Sequence, residues 1–76
     1  KQGIRCNAVA PGFTATEAIR SVPQWQELQS GALKRIRGTR VGDPEDIAAL
    51  VAFLLSEEGE WINGQVVNID GGTVLR

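Results

Sequence analysis

Two short apolar segments, residues 4–10 and 65–69, are separated by a long stretch with helical patterning. Each segment has the length and the β-branched content of a buried strand. Only a crossover connection can bring a second strand back beside the first after a helical excursion, so the two strands are expected to pair in parallel. The order of segments therefore predicts an α/β fold built on a βαβ unit.

The first predicted strand stops at Pro11 and Gly12, and two threonines, Thr14 and Thr16, follow immediately. Proline cannot donate to a sheet ladder, and glycine permits an unusual turn. Thr16 can cap a short helix at about residues 16–21. In an arbitrary protein such a loop is usually only the end of a strand followed by a helix cap.

The region between the strands begins with a segment of no firm period, residues 13–22, which we expect to be mobile when no ligand is bound. Pro23 suits the first turn of a second helix. An apolar stripe then recurs at helical spacing, formed by Trp25, Leu28, Ala32 and Ile36. Gly31 costs that helix about 1 kcal/mol relative to alanine.

The strongest local signal is the start of a third helix at Asp43 and Pro44. An aspartate can accept hydrogen bonds from the first free amides of a helix, and proline suits the first helical position. Negative charge on the next two residues complements the positive helix start. We predict a helix over residues 44–55, with a buried stripe formed by Ile47, Leu50, Val51 and Leu54 and widened by Phe53 and Leu55.

Charge and composition exclude several classes of function. Eight basic and nine acidic residues leave a net charge of −1, which gives no electrostatic basis for nucleic-acid binding or for binding to an anionic membrane. Cys6 is the only cysteine and there is no histidine, which argues against an internal disulfide and a zinc site. Cys6 is expected to be a small core residue, and the setting to be cytoplasmic, with no membrane partner.

A two-stranded parallel unit is not a stable sheet alone, because parallel strands need both faces covered. The strand at residues 4–10 would also keep an unpaired edge, which invites association. The chain contains no methionine. We therefore expect this chain to be part of a longer polypeptide.

Three segments, in order, resemble the C-terminal portion of a short-chain dehydrogenase/reductase, most closely members like β-ketoacyl-ACP reductase and glucose dehydrogenase. "GIRCNAVAPG" resembles the sixth strand of that family and its exit loop, "RVGDPEDIA" the start of the last long helix, and "INGQVVNIDGG" the seventh strand and its turn. The resemblance implies the C-terminal βαβ part of a Rossmann-like, doubly wound parallel sheet.

The same resemblance implies an NAD(P)-dependent oxidoreductase that transfers hydride between nicotinamide and a carbonyl or alcohol substrate. Ligands of such sheets lie beyond the carboxyl ends of the strands, where Pro11 and Gly12 would pack beside the nicotinamide. The family pattern then assigns the backbone amide of Thr14 and the hydroxyl of Thr16 to the carboxamide. Residues 13–36 would form the substrate loop and its helices, with candidate contacts at Phe13, Glu17 and Trp25. Alternatively, Trp25 and Leu28 belong to the buried stripe of the second helix, which we favour.

The resemblance also implies what this stretch lacks. The catalytic serine, tyrosine and lysine of the family and its glycine-rich pyrophosphate loop would lie upstream, and this sequence contains no tyrosine. The chain alone is therefore expected to be inactive, with NAD or NADP expected of the full-length parent, which is expected to form a homo-oligomer. The alternative is a non-catalytic fragment that acts as a self-association module. The turn at residues 70–72 is expected at a subunit boundary rather than in a chemical site.

Overall fold

The structure is a computed structural model that describes residues 3–74. Strand β1 (Ala8–Pro11) leads through a loop into a one-turn helix, α1 (Glu17–Arg20). Helix α2 (Trp25–Arg35) and helix α3 (Pro44–Leu55) follow, and a short 3₁₀ turn (Glu57–Gly59) leads to strand β2 (Val66–Ile69). Pro23 lies in the turn before α2 rather than in its first helical turn.

The two strands form one parallel sheet, in which Ala8 pairs with Val66 and Pro11 with Ile69. The helices lie in the crossover between the strands, as the order of segments requires. The predicted α/β class, with two parallel strands joined by a helical crossover, is confirmed. The carboxyl ends of both strands lie at the same edge of the sheet, where the loops that follow Pro11 and Ile69 meet.

The first strand is shorter than predicted, because it begins at Ala8 instead of residue 4. The side chain of Asn7 donates to the carbonyl of Ile62 and accepts from the amide of Gln65. Arg5 is likewise bonded to carbonyl groups near the end of α3. These residues contact the loop before β2 and have no strand beside them, since β2 starts only at Val66.

Helix α3 begins at Pro44, and hydrogen bonds between Asp43 and Asp46 cap its first turn. The backbone amide of the third helical residue, Asp46, donates to the backbone carbonyl of Asp43 at 2.8 Å, and the Asp46 carboxylate accepts from the backbone amide of Asp43 at 2.8 Å. This reciprocal capping box ties up donors that would otherwise be unsatisfied at the helix start.

The buried core is small, and the predicted burial of the α3 stripe and of Leu28 is wrong. The largest cluster comprises Ala15, Ala32 and Val41, with Phe13, Trp25, Leu33 and Ile36 packed on it. In the predicted stripe of α3 only Leu54 is buried, and Leu55 is 78% exposed. Leu28 of α2 is also exposed. Helix α2 buries Ala32 in this cluster, whereas Val51, Phe53 and Leu55 leave the apolar stripe of α3 largely open.

Cys6 was expected in the core, and the structure places it on the surface instead. It precedes β1, and its backbone amide donates to the Asn63 side chain at 3.1 Å. Its side chain borders a groove of about 400 Å³ between α3 and the start of β1, lined also by Val9, Val51 and Leu54. Cys6 lies outside the core because the strand begins two residues later.

The molecule is elongated, measuring 49 × 26 × 15 Å. Its radius of gyration is 14.8 Å, whereas a compact domain of this length has about 11 Å. The two strands and their crossover are therefore formed without a closed hydrophobic core around them.

Candidate functional site

The loop at residues 11–16, called the site loop below, leaves β1 at the carboxyl edge of the sheet. The amide of Gly12 donates to the carbonyl of Ile69 at 3.0 Å, which extends the pairing with β2 beyond Pro11. A Cβ on Gly12 would lie 2.6 Å from the Cβ of Asp70 and 2.8 Å from its Cα. Glycine is required here because Asp70, the residue that follows β2, lies too close for any side chain.

A second contact holds the middle of the site loop. Thr14 forms an isolated parallel bridge with Gly42, in which the amide of Ala15 donates to Gly42 at 2.8 Å and the amide of Gly42 donates to Phe13 at 3.1 Å. Ala15 is 3% exposed. The site loop is therefore fixed between the end of β2 and the residue that precedes the α3 cap.

Two polar donors of the site loop have capacity for a ligand. Within residues 3–74 the backbone amide of Thr14 donates no hydrogen bond, while its hydroxyl donates to the carbonyl of Gly12 at 3.1 Å. The hydroxyl oxygen of Thr16 accepts from the amide of Ile19 at 3.2 Å, so Thr16 is the N-cap of α1. A hydroxyl that accepts a bond still has its own proton to donate. The loop thus presents one amide and one hydroxyl as donors.

The aromatic candidates lie together on one side of the site loop. The rings of Phe13 and Trp25 are stacked, with centroids 6.2 Å apart and an interplanar angle of 20°. The Arg20 guanidinium lies 5.9 Å from the Trp25 centroid, and its Nε donates to the carbonyl of Ala15 at 3.3 Å. Trp25 packs against the buried cluster, in agreement with the favoured core reading. Glu17, the first residue of α1, is exposed.

A cavity of about 400 Å³ lies next to the site loop, and Phe13 of that loop is part of its lining. Phe13 and Ile36 give it apolar walls, and residues at the end of β2 and in the α2–α3 connection complete the lining. At its rim Arg40 forms a bidentate pair with Asp46, with Nη1 to Oδ2 at 2.7 Å and Nη2 to Oδ1 at 2.9 Å.

The contact between Arg40 and Asp46 shifts the pKa of both side chains. Hydrogen bonds from Arg40 and from the backbone amide of Asp43 lower the pKa of the Asp46 carboxyl to about 2. The same hydrogen bond to Asp46 raises the pKa of Arg40. Asp46 therefore stays charged across the physiological range and serves the helix start, not proton transfer.

Two structural residues were not identified from the sequence. Arg5 donates to three carbonyls, at Leu54 (2.7 Å), Gly59 (3.0 Å) and Ile62 (3.0 Å), and so closes the carboxyl end of α3. Asp70 accepts from the amides of Gly72 (3.0 Å) and Val74 (3.3 Å). Two sequence features could have indicated these roles: Arg5 is a charged residue inside an apolar segment, and Asp70 directly precedes two glycines.

The part of the chain that the structure describes also lacks certain features. Among residues 3–74 no group of three metal-ligating side chains comes together. No described helix combines the length and apolarity that crossing a membrane requires. The sequence has neither tyrosine nor histidine.

Residues 1–74 match the model of a protein family described as enoyl-(acyl carrier protein) reductase. The chain is 43% identical over 74 residues to a 3-oxoacyl-[acyl-carrier-protein] reductase, FabG, of Thermotoga maritima, covering 97% of this chain. It is 44% identical over 75 residues to a human (3R)-3-hydroxyacyl-CoA dehydrogenase, covering 99% of this chain. It spans 29% and 28% of the lengths of these curated relatives.

A solved structure of similar fold is a 4-hydroxyisoleucine dehydrogenase in complex with NADH and succinate. It matches with a TM-score of 0.75 and 30% sequence identity, over 92% of this chain and 27% of the dehydrogenase. The arrangement of strands and crossover helices described above is therefore one that dehydrogenases contain as a part of a larger structure.

Proposed function

This chain belongs to the short-chain dehydrogenase/reductase family, and we propose that it forms the C-terminal part of a longer NAD(P)-dependent oxidoreductase. In this role the chain gives one wall of the nicotinamide site and the substrate loop. Two features support the proposal: the chain spans 29% of the T. maritima reductase, and its helices leave apolar faces uncovered. The missing catalytic groups would then come from the preceding part of the polypeptide.

The donors of the site loop fit the carboxamide of a nicotinamide. That group has one acceptor oxygen with two lone pairs, which can take a bond from the Thr14 amide and another from the Thr16 hydroxyl. The nicotinamide, when bound, supplies or accepts the hydride. Thr14 and Thr16 hold the ring in one orientation, so that only one face meets the substrate. This pair of unused donors is the observation that carries the proposal.

In this proposal, Phe13 and Trp25 form part of the wall that faces the substrate. Their rings are stacked, and the Arg20 guanidinium lies over the Trp25 ring, so these residues combine apolar rings with one positive charge. Residues 13–36 would therefore determine which substrate is accepted.

The test is made with the complete reductase that carries this segment, and with the 76-residue chain in parallel. We expect NADH or NADPH to bind the complete enzyme and to support reduction of 3-oxoacyl thioesters or related carbonyl compounds, while the chain alone shows no turnover. A folded complete enzyme that binds neither nicotinamide would overturn the proposal. Comparison of the two cofactors also separates NAD from NADP dependence.

A second candidate function is self-association, which the exposed large apolar side chains favour. Leu55 is 78% exposed, Trp61 is 96% exposed and Val66 is 67% exposed. Burial of such side chains stabilises an interface by about 25 cal/mol per Å². If the chain pairs with a second copy and buries Trp61, its apparent size in gel filtration rises with concentration, and Trp61→Ser suppresses the rise. A monomer at all concentrations contradicts this candidate.

A further inference from the structure

A turn follows β2 and contacts the site loop. It is formed by Asp70, Gly71 and Gly72 and is called the exit turn below. Gly12 donates to Ile69, the residue just before the turn, and the Cα of Gly12 faces the Cα and Cβ of Asp70 without room for another carbon. Because two backbones meet here, a shift of the exit turn must shift the site loop as well.

The exit turn also contacts Ile36 and Arg37, the two residues that follow α2. The amide of Arg37 donates to the carbonyl of Gly71 at 2.9 Å. A Cβ on Gly71 would lie 3.0 Å from Ile36, and a Cβ on Gly72 would lie 2.6 Å from Cγ of Arg37. The same three residues therefore contact both the site loop and the segment that leaves α2.

The shape of the exit turn is fixed by its own bonds. Oδ1 of Asp70 accepts from Gly72 and Oδ2 from Val74, and the Asp70 carbonyl accepts from the Thr73 hydroxyl at 2.8 Å. Gly71 and Gly72 have positive φ, 63° and 83°, a conformation that glycine adopts without strain. The Asp70 carboxylate is thus the group that holds the turn closed.

We propose that the exit turn positions the nicotinamide-side site loop relative to the substrate helices, with Asp70 as its positioning residue. This inference rests on the proposed function, since it assigns a role within the same site. Hydride transfer depends steeply on the distance between donor and acceptor carbons, and a displacement of 1 Å can cost about 100-fold in rate. A turn that sets the position of both walls therefore affects turnover although it touches no reacting atom.

The first experiment compares Asp70→Ala with Asp70→Asn in the complete reductase. Alanine removes both acceptors of the turn, whereas asparagine keeps one oxygen for the Gly72 amide. We expect Asp70→Ala to lower kcat about tenfold and to raise the dissociation constant for the nicotinamide several-fold. Asp70→Asn should restore most of both values. The primary isotope effect with deuterated cofactor should rise in Asp70→Ala, because hydride transfer becomes more rate-limiting.

A second pair of variants keeps the test decisive if Asp70→Ala folds poorly. Gly72→Ala and Gly64→Ala introduce the same strain, at φ values of 83° and 72°. A Cβ on Gly72 meets Arg37, whereas a Cβ on Gly64 meets nothing within 4 Å. We expect Gly72→Ala to reduce kcat and cofactor affinity well beyond any effect of Gly64→Ala at equal loss of melting temperature.

The outcomes separate the inference from the proposed function. If the wild-type reductase turns over and the Asp70 and Gly72 variants lose only melting temperature, with kcat and cofactor affinity unchanged, the exit turn is merely structural and the inference is wrong. If the wild-type enzyme binds no nicotinamide, the proposed function fails, and the positioning role fails with it.

Discussion

Arg40 binds both carboxylate oxygens of Asp46, while one of these oxygens also accepts the backbone amide of Asp43. One carboxylate therefore serves the ion pair and the capping box of α3 together. Since the side chains of the pair are partly exposed, 66% and 33%, the ion pair is screened by salt more than a buried pair would be.

This arrangement predicts how stability depends on pH. The pKa of Asp46 is lowered from 3.8 to about 2 in the folded protein, mainly by the Arg40 hydrogen bond and then by the Asp43 amide. A carboxyl whose pKa is lowered by folding stabilises the folded protein at pH values above its unfolded-state pKa. This stabilisation is lost as pH falls from about 3.8 towards 2. In denaturant unfolding of the complete reductase, the free energy of unfolding should fall less between pH 3.8 and pH 2 in Asp46→Asn than in wild type. Glu45→Gln, which removes a charge from the same helical turn, is the control.

Substitution of Thr16 separates its two roles. Thr16→Ala removes the α1 cap, at a cost of up to about 1 kcal/mol, and also removes the hydroxyl proton proposed to reach the carboxamide. Thr16→Asp can keep the cap acceptor but has no proton to donate. In the complete reductase both variants should raise KM for the nicotinamide and lower kcat, whereas Thr16→Ser should retain both. Normal kinetics in Thr16→Asp would remove this hydroxyl from the cofactor site.

Hydrogen exchange should divide the segment at residues 13–22 into two parts. The sequence predicts that the whole segment is mobile without ligand, but the structure bonds Ala15 to Gly42 and buries it. Helix α1 has no buried residue. We expect rapid amide exchange over residues 17–22 and protection at Ala15 in the ligand-free reductase. Protection throughout α1 would contradict this division.

Arg5 should matter for stability although it lies outside the site. Its guanidinium donates to three carbonyls at the end of α3, and hydrogen bonds from charged groups contribute about 1.5–3 kcal/mol. Arg5→Lys cannot reproduce the fork geometry and should lower the free energy of unfolding by about that amount. Arg35→Lys, at an exposed position in the last turn of α2, should change it little. Thermal or denaturant unfolding measures both.

Two glycines should respond to alanine in opposite directions. Gly31 lies inside α2 with no atom within 4 Å of an added Cβ, so Gly31→Ala should stabilise the protein by about 0.5–1 kcal/mol. An added Cβ on Gly42 would lie 2.9 Å from the Phe13 carbonyl. Gly42→Ala should therefore destabilise the protein and displace the site loop. Equal unfolding midpoints for the two variants would contradict the close approach.

Local signals predicted some parts of this structure well. The start of α3 follows from Asp43 and Pro44, because capping depends only on neighbouring residues. The parallel pairing follows from the order of segments alone. The three resembling segments led to the family, but the roles of Thr14 and Thr16 remain predictions.

Other parts depended on contacts between residues far apart in sequence. Arg5 and Asn7 reach carbonyls more than 50 positions later, which shortens β1 and exposes Cys6. The approach of Asp70 to Gly12 could not be read from either residue alone. The open stripe of α3 has a similar cause, since burial is decided by elements that pack against a helix and not by the helix pattern itself.

The bridge between Thr14 and Gly42 encloses residues 15–41 in an excursion whose two ends lie side by side. The entropic cost of lengthening such a closed excursion grows only slowly with its length. Insertions or deletions within it can therefore reshape the substrate surface while the anchored ends stay in place. Evolution, or a protein engineer, can exchange residues 17–35 as a cassette and leave Thr14, Thr16 and the contact of Arg37 with Gly71 in place.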